Sequence, residues 1–336
     1  MTELVKDSPL MPFVWQQDCW SQLTEQHRSG RLPHALLLAG EQGIGKYHLA
    51  RALAAYLLCR HPAQTACGEC ASCTLFHAGT HPDLAEVMPE SEGKQIKIEQ
   101  IRKLQTFASK TAQQGGFRVV ILQPADAMNI NAANALLKNL EEPGDNVLFI
   151  LLSNRTSAVM PTIKSRCQQF SLPIPDREQA LNWLNHHLSS HAALHAEKLL
   201  KMAQGNPLLA QELADEALHK QRDKLFFAME NLTRGGDPVE LAPSFIDGDL
   251  QWTLRWMQQW LNDWCRWMVT QDDADLSFPD MLPLYRQWQH SSSLEKARLL
   301  FQDVGRLRTQ LLSGANPNLQ LAMEALLIRW AGKMLL

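Results

Sequence analysis

The chain has 336 residues, of which 45% are hydrophobic and 20% are charged, and its formal net charge at pH 7 is −3. A chain of this length and hydrophobic content can fill more than one core, so we expect more than one domain. The slightly acidic charge argues against a protein that grips DNA through a dominant phosphate-neutralising surface, although a local basic patch is compatible with it.

The composition also argues against a membrane protein. Apolar runs such as residues 147–152 are far shorter than the roughly 20 residues that a membrane-spanning helix requires. The start of the chain, MTELVKDSPL, lacks the charged and then apolar segments of a secretion signal. We therefore expect a cytoplasmic protein without a membrane partner.

A glycine-rich turn follows an apolar stretch within residues 35–47, which read ALLLAGEQGIGKY. This order predicts a buried strand, a P-loop, and a helix whose amino terminus would favour a bound phosphate. The candidate nucleotide-binding residues are Gly40, Gly43, Gly45 and Lys46. A working P-loop ends in Ser or Thr, because that hydroxyl binds Mg²⁺, whereas this chain has Tyr47 there. We expect ATP binding to be weak or absent, since the backbone cradle is retained and the hydroxyl is not.

The acidic residues that an ATPase needs at the end of a second buried strand are also missing. The candidate strand is residues 119–122, and it runs into Gln123 and Pro124, neither of which binds a metal ion. Asp126 lies three residues beyond Gln123 and is the alternative metal ligand. The missing acidic residues and Tyr47 together predict a degenerate site that does not hydrolyse ATP.

Four of the seven cysteines cluster with the spacing C-x₇-C-x₂-C-x₂-C. They are Cys59, Cys67, Cys70 and Cys73. In a chain without a secretion signal, such a cluster indicates metal binding rather than disulfides. The spacing predicts a closed tetrahedral zinc site, and four thiolate ligands leave no open position for catalysis, so the ion would be structural. An iron–sulfur cluster, or free thiols on an exposed loop, are the alternatives.

The chain is predicted to be helical from about residue 219 onwards. Four tryptophans step by four along one predicted helix, at Trp252, Trp256, Trp260 and Trp264. Such a stripe either packs against partner helices or stacks on nucleic-acid bases. We favour packing, because apart from Arg255 and Arg266 no basic residues are interleaved with the stripe, as a nucleic-acid-binding surface would require.

Five stretches of the first half occur in a characteristic order. They are RLPHALLLAGEQGIGK at residues 31–46, the cysteine loop at 59–73, GTHPD at 79–83, NAANALLKNLEEP at 131–143 and TIKSRC at 162–167. Together they resemble the AAA+ clamp-loader family of bacterial DNA polymerase III. The resemblance implies an α/β AAA+ P-loop domain with a parallel sheet, a small helical lid domain and an all-α C-terminal collar domain that forms oligomers. Short apolar runs at residues 35–39 and 147–152 are typical of such strands.

We place the three domains from this resemblance and from a proline-rich linker near residues 173–176. The P-loop domain is assigned to residues 1–173, with its zinc-binding loop at 59–73. The lid is assigned to residues 174–218, where we predict three helices, and the collar to residues 219–336.

The resemblance also implies roles for single residues. In this family the arginine of the SRC motif, here Arg166, reaches into the ATP site of the neighbouring subunit as an arginine finger. The alternative is a surface arginine or an ion-paired one. Active relatives carry a sensing arginine where this chain has Leu208, and polar sensor residues where it has Ser153 and Asn154.

The sequence therefore predicts a non-catalytic clamp-loader subunit, part of a DNA-directed DNA polymerase complex. The resemblance implies a heteropentamer with gamma or tau motor subunits and a delta subunit, which meets the sliding clamp and primed DNA during replication. Two alternatives stay open. An active ATPase of the gamma/tau type conflicts with Tyr47, Gln123 and Leu208, and a zinc-dependent nucleic-acid-binding module conflicts with the acidic net charge.

Overall fold

The structure is a computed structural model that describes residues 10–91, 94–312 and 317–334. The chain divides into two units, Met1–Ala180 and Leu181–Leu336. Residues 1–9, on which the expectation about a secretion signal depends, lie outside the described ranges. The further division into a lid and a collar stays a prediction.

A parallel sheet of five strands forms the centre of the first unit. The strands are β1 (Ala35–Ala39), β2 (Leu84–Val87), β3 (Arg118–Leu122), β4 (Val147–Ser153) and β5 (Gln168–Ser171). Their order across the sheet is β2-β3-β4-β1-β5, and Leu37 of β1 lies opposite Leu151 of β4 and Gln169 of β5. Strands β1, β3 and β4 are buried along their whole length, which explains their continuous apolar sequences. The predicted parallel sheet is confirmed.

Helices cover both faces of this sheet. They are α1 (Gln17–Arg28), α2 (Lys46–Leu58), α3 (Ala71–His77), α4 (Ile98–Ala108), α5 (Ile130–Glu141) and α6 (Pro161–Lys164). Because side chains alternate along a strand, Leu36 and Leu38 pack with buried residues of α1 and α2, whereas Leu37 packs with those of α4 and α5. The carboxyl ends of the strands are thereby left for the loops that carry the candidate site.

A buried carboxylate joins β2 to the turn before β3. Asp83 is fully buried, and its two oxygens accept hydrogen bonds from the backbone N–H groups of Gln113 and Gln114, both at 2.8 Å. The Arg118 guanidinium lies 3.8 Å from the same carboxylate and stacks over the ring of Phe107 at 4.0 Å. Asp83 thus binds two backbone amides and offsets the charge of the buried Arg118 guanidinium.

We expect Asp83→Ala to lower the free energy of unfolding by about 3–5 kcal/mol, because it leaves the Arg118 charge buried without compensation. Urea-induced unfolding measures this change. Asp145→Ala is the control, since Asp145 is exposed and its removal should change stability by less than about 0.5 kcal/mol. Equal effects of the two substitutions would contradict the assigned role of Asp83.

The second unit is helical. The remaining helices are α7 (Arg177–His187), α8 (Ser190–Ala193), α9 (Ala196–Met202), α10 (Pro207–Glu212), α11 (Glu216–Thr233), α12 (Pro238–Ile246), α13 (Leu250–Thr270), α14 (Leu282–Trp288), α15 (Leu294–Leu312) and α16 (Leu319–Met334). Aspartate side chains cap the amino termini of four of these helices, at Asp176, Asp215, Asp237 and Asp249. No helix in the described ranges is long and apolar enough to cross a membrane.

Two details differ from the sequence-based assignment or extend it. Four helices, α7 to α10, occupy residues 177–212 where three were predicted, because the four residues of α8 are too few to reveal a helical period. The side chain of Gln259 on α13 donates a hydrogen bond to the carbonyl oxygen of Met202 at the end of α9, at 2.9 Å. This bond links the predicted lid region to the predicted collar region within the second unit.

The tryptophan stripe lies inside the second unit. Trp256, Trp260 and Trp264 are at most 1% exposed and Trp252 is 8% exposed, so these rings cannot stack on nucleic-acid bases in this conformation. The indole N–H of Trp264 donates to the carbonyl oxygen of Tyr285 at 3.1 Å. The predicted packing role of the stripe is confirmed.

Candidate functional site

The four predicted nucleotide-binding residues lie together in one turn, between the carboxyl end of β1 and the start of α2. Gly40, Gly43 and Gly45 all have positive φ angles, of 154°, 88° and 85°. A Cβ atom on Gly40 would lie 2.8 Å from the carbonyl oxygen of Leu172, and one on Gly45 would lie 2.6 Å from the ring of Phe13. Glycine is required here both by the backbone conformation and by the lack of space.

The lysine of this turn is bound to the turn itself. The Lys46 ammonium donates hydrogen bonds to the carbonyl oxygens of Gly40 and Glu41, at 2.8 and 2.5 Å. Burial lowers the pKa of Lys46 to about 8, although the negative charges of Asp126 and Glu41 oppose this shift. The group that would bind a phosphate is therefore held by two carbonyl dipoles of its own loop.

Tyr47 occupies the position of the missing hydroxyl ligand and reaches to β2. Its phenol lies 3.2 Å from both carboxylate oxygens of Glu86, and the Arg51 guanidinium lies 5.8 Å from its ring centre. Burial, together with the Glu86 charge, raises the pKa of Tyr47 to about 12. A protonated phenol that is bonded to a carboxylate offers no ligand for Mg²⁺.

The amino-terminal segment covers the other side of the turn, which the sequence analysis missed. The Gln16 side-chain amide donates to the carbonyl oxygens of Ile44 and Gly45, at 3.0 and 2.9 Å. The ring of Phe13 stacks on that of His48, with their centres 4.0 Å apart. The aromatic residues before α1 could have indicated a packed segment. Their contacts could not be assigned from the sequence, because the partners are about 30 residues away.

Asp126, the alternative metal ligand, is hydrogen-bonded and ion-paired to neighbouring protein groups. Its Oδ1 accepts hydrogen bonds from the Ser153 hydroxyl at 2.9 Å and the Asn154 backbone N–H at 3.2 Å. The Arg155 guanidinium lies 3.5 Å from Oδ2, and the Asp126 side chain is 6% exposed. The two sensor-like residues therefore bind this carboxylate.

Arg166 follows α6 and forms an ion pair within the chain. Its Nη2 lies 2.6 Å from Glu141 at the end of α5, and its Nη1 donates to the carbonyl oxygen of Thr162 at 2.9 Å. The side chains of Arg166 and Glu141 are 34% and 50% exposed. Solvent screens such a pair, so separating the two groups costs at most about 1 kcal/mol.

Leu208, in place of the sensing arginine, is half-buried in α10.

The four predicted metal ligands form one cluster. The Sγ atoms of Cys59, Cys67, Cys70 and Cys73 all lie within 4.8 Å of one another. Individual Sγ–Sγ distances are 3.5, 4.0 and 3.9 Å. A tetrahedron with zinc–sulfur bonds of about 2.3 Å has sulfur–sulfur edges of about 3.8 Å, so the cluster fits a Cys₄ zinc site.

The surroundings of the cluster favour a thiolate at one ligand. Burial opposes ionisation of Cys70, but hydrogen bonds from the backbone N–H groups of Arg60 and Cys73 lower its pKa to about 6. Burial raises the pKa of Cys59 and of Cys73. A divalent cation would favour the ionised form of all four thiols.

A chain of hydrogen bonds supports the cysteine loop from behind. The Asp83 backbone N–H donates to Nδ1 of His81 at 3.1 Å, so Nε2 of His81 carries the proton and donates to the Ser72 hydroxyl at 2.7 Å. The Ser72 hydroxyl in turn donates to the carbonyl oxygen of Leu58 at the end of α2. The GTHPD stretch thereby positions the two cysteines that flank Ser72.

The parallel sheet, the glycine turn after β1 and the all-helical region that follows define the α/β AAA+ class of protein. Residues 15–176 match the family described as "DNA polymerase III, delta subunit", and residues 216–332 match "DNA polymerase III, delta subunit, C terminal". The chain is 40% identical to DNA polymerase III subunit delta' of Pseudomonas aeruginosa, over 95% of this chain and 97% of that protein. It is 30% identical to the delta' subunit of Escherichia coli (strain K12), over 94% of both.

The chain belongs to the DNA polymerase III subunit delta' family. It is also 33% identical to DNA polymerase III subunit tau of Escherichia coli (strain K12), over 61% of this chain and 32% of tau.

Proposed function

We propose that this chain is a non-catalytic delta-prime-type subunit that helps load the sliding clamp onto primed DNA during replication. It would assemble with gamma or tau motor subunits and the delta subunit in a heteropentamer. One observation carries the proposal: the groups that would handle a nucleotide are bonded to the protein itself. Lys46 binds its own loop, Tyr47 binds Glu86, and Asp126 binds Ser153 at the end of β4.

In this proposal Arg166 completes the ATP site of a neighbouring motor subunit. Its guanidinium would leave Glu141 and donate to the oxygens of the transferring phosphate, where negative charge builds up. The fixed fork of donors suits a phosphate as well as a carboxylate, so the one partner can replace the other. The weak, half-exposed pair with Glu141 keeps the arginine ordered at low energetic cost before assembly.

A zinc ion held by the four cysteines would brace the loop between α2 and α3 without taking part in chemistry. Four thiolates around zinc leave no position for water or substrate. The protein would act in the cytoplasm, where its partners and primed DNA are found.

A P-loop substitution separates this proposal from an active ATPase of the gamma/tau type. We expect Lys46→Met, which keeps an unbranched apolar stem, to leave DNA- and clamp-stimulated ATP hydrolysis by the reconstituted loader within about twofold of the wild type. The matched control replaces the P-loop lysine of a motor subunit by Met and should abolish hydrolysis at that site. A comparable loss from Lys46→Met, at equal assembly, would mean that this chain hydrolyses ATP.

A further inference from the structure

One edge of the parallel sheet is open. In the part of the chain that the structure describes, β2 pairs with β3 and with no other strand. The carbonyl oxygens of Asp83 and Val87 accept hydrogen bonds from the backbone N–H groups of Val119 and Gln123, both at 2.9 Å. Because backbone groups alternate along a strand, those of the even-numbered residues 84, 86 and 88 face away from the sheet.

The outward groups are satisfied at the two ends of β2 but not in its middle. The Leu84 N–H donates to the carbonyl oxygen of His81 at 3.2 Å, and the Met88 carbonyl oxygen accepts from the Gln100 side chain at 2.7 Å. Within the described ranges, the backbone N–H and carbonyl oxygen of Glu86 have no partner. An unpaired strand edge of this kind is a template for an added strand.

An apolar groove runs beside this edge, between β2 and α4. Its volume is about 410 Å³, and Ala85, Val87, Leu104 and Phe107 contribute apolar lining, with Lys103 also at the groove. Alternate side chains of a strand point to the same face of a sheet. Every second side chain of an added strand would therefore enter the groove, while its backbone bonds to Glu86.

The segment that contains α4 has a charge opposite to that of the whole chain. Residues 94–110 carry five basic residues and one acidic residue, a formal charge of +4, against −3 for the whole chain. The basic residues are Lys94, Lys97, Arg102, Lys103 and Lys110. Lys97 pairs with Glu90, whereas Lys103 has no ion pair among the described residues. The groove thus combines an apolar floor with a lysine that has no ion pair, while the carboxylate of Glu86, which also lines the groove, lies 3.9 Å from Arg51.

We propose that the edge of β2 and its groove bind an extended acidic segment of a partner protein, which adds to the sheet as a sixth strand. The backbone of Glu86 would supply main-chain hydrogen bonds, the groove would take alternate apolar side chains, and Lys103 would pair with an acidic side chain. A nucleic acid would use the positive charge but neither the apolar floor nor the strand edge. A peptide therefore satisfies all three features.

The probe is a fluorescein-labelled peptide of about eight residues, a typical strand length, in which Val and Ser alternate and one Val is replaced by Glu. Its apolar side chains and its acidic side chain then face the groove and Lys103 together. Anisotropy titrations with the full chain should show saturable binding, and hydrogen exchange should show protection of the Glu86 amide. Lys103→Glu should weaken binding by about tenfold or more, because it replaces attraction by repulsion. Lys198→Glu is the matched control, since Lys198 is exposed on α9 in the other unit, and it should bind as the wild type does.

Two further arms separate strand addition from simple charge attraction. The same peptide with methylated backbone nitrogens on its β2-facing side should lose binding, because it cannot donate to Glu86. Ala85→Leu, which fills the groove without adding charge, should weaken binding of the unmodified peptide. Absence of saturable binding, equal affinity for the methylated peptide, or insensitivity to Lys103→Glu would each overturn the proposal. Binding of oligothymidylate that depends on Lys103, without binding of the peptide, would assign the patch to nucleic acid instead.

Discussion

Replacing Arg166 by alanine should slow ATP hydrolysis at the adjacent motor site of the reconstituted loader by about 10³-fold or more, the usual worth of an arginine finger. The reason is electrostatic, because the guanidinium would neutralise charge that develops on the transferring phosphate. The Arg166 side chain is 34% exposed and pairs with Glu141 at the surface, so we expect its removal to leave the fold intact. Assembly should therefore be unchanged, and DNA- and clamp-stimulated hydrolysis measures the effect.

Two control variants make this result specific. Arg31→Ala removes an exposed arginine of the same unit, and it should hydrolyse ATP at the wild-type rate. Arg166→Lys keeps the charge but not the planar fork of donors, so it should not restore the rate. A full rate with Arg166→Ala in a correctly assembled loader would leave Arg166 as a surface residue.

If the cluster holds zinc as proposed, replacing Cys73 by serine should abolish zinc binding and unfold the loop between α2 and α3. Removing a group that only hydrogen-bonds to a metal ligand already lowers metal affinity by about 10–100-fold, and removing a thiolate ligand itself should lower it more. Cys73 is 2% exposed, so bulk water has little access to its position as the fourth ligand. Metal analysis of the purified protein and competition with a chelator measure the effect, and thermal unfolding should occur at lower temperature.

Cys265→Ser is the matched control, because this cysteine lies alone on α13 and should leave the zinc content unchanged. A wild-type protein that contains iron and inorganic sulfide would assign the cluster to an iron–sulfur centre. A protein with four titratable thiols and no metal would remove the structural ion from the account.

The sequence predicted those features that short-range patterns encode. Continuous apolar runs indicated β1 and β4, because a strand covered on both faces has no polar side. The spacing of the four cysteines indicated a ligand cluster, since the residues that separate them are few. The tryptophan period indicated a buried face of α13.

The features that were missed depend on residues far apart in the chain. Gln16 binds the carbonyl oxygens of Ile44 and Gly45 across about 30 residues, and no local pattern marks that contact. The commitment of Asp126 to Ser153 depends on the side-by-side arrangement of β3 and β4, which only the sheet order defines. The ion pair between Arg166 and Glu141 likewise requires α5 and α6 to be placed in space.

The most direct test of catalysis in trans is a single-turnover measurement of ATP hydrolysis by loaders that carry either the wild-type chain or Arg166→Ala. The account predicts that the fast turnover of the motor site next to this chain is lost, whereas the other motor sites keep their rates. An unchanged burst of hydrolysis with equal amplitude would contradict it, and this chain would then serve only to hold its neighbours in place.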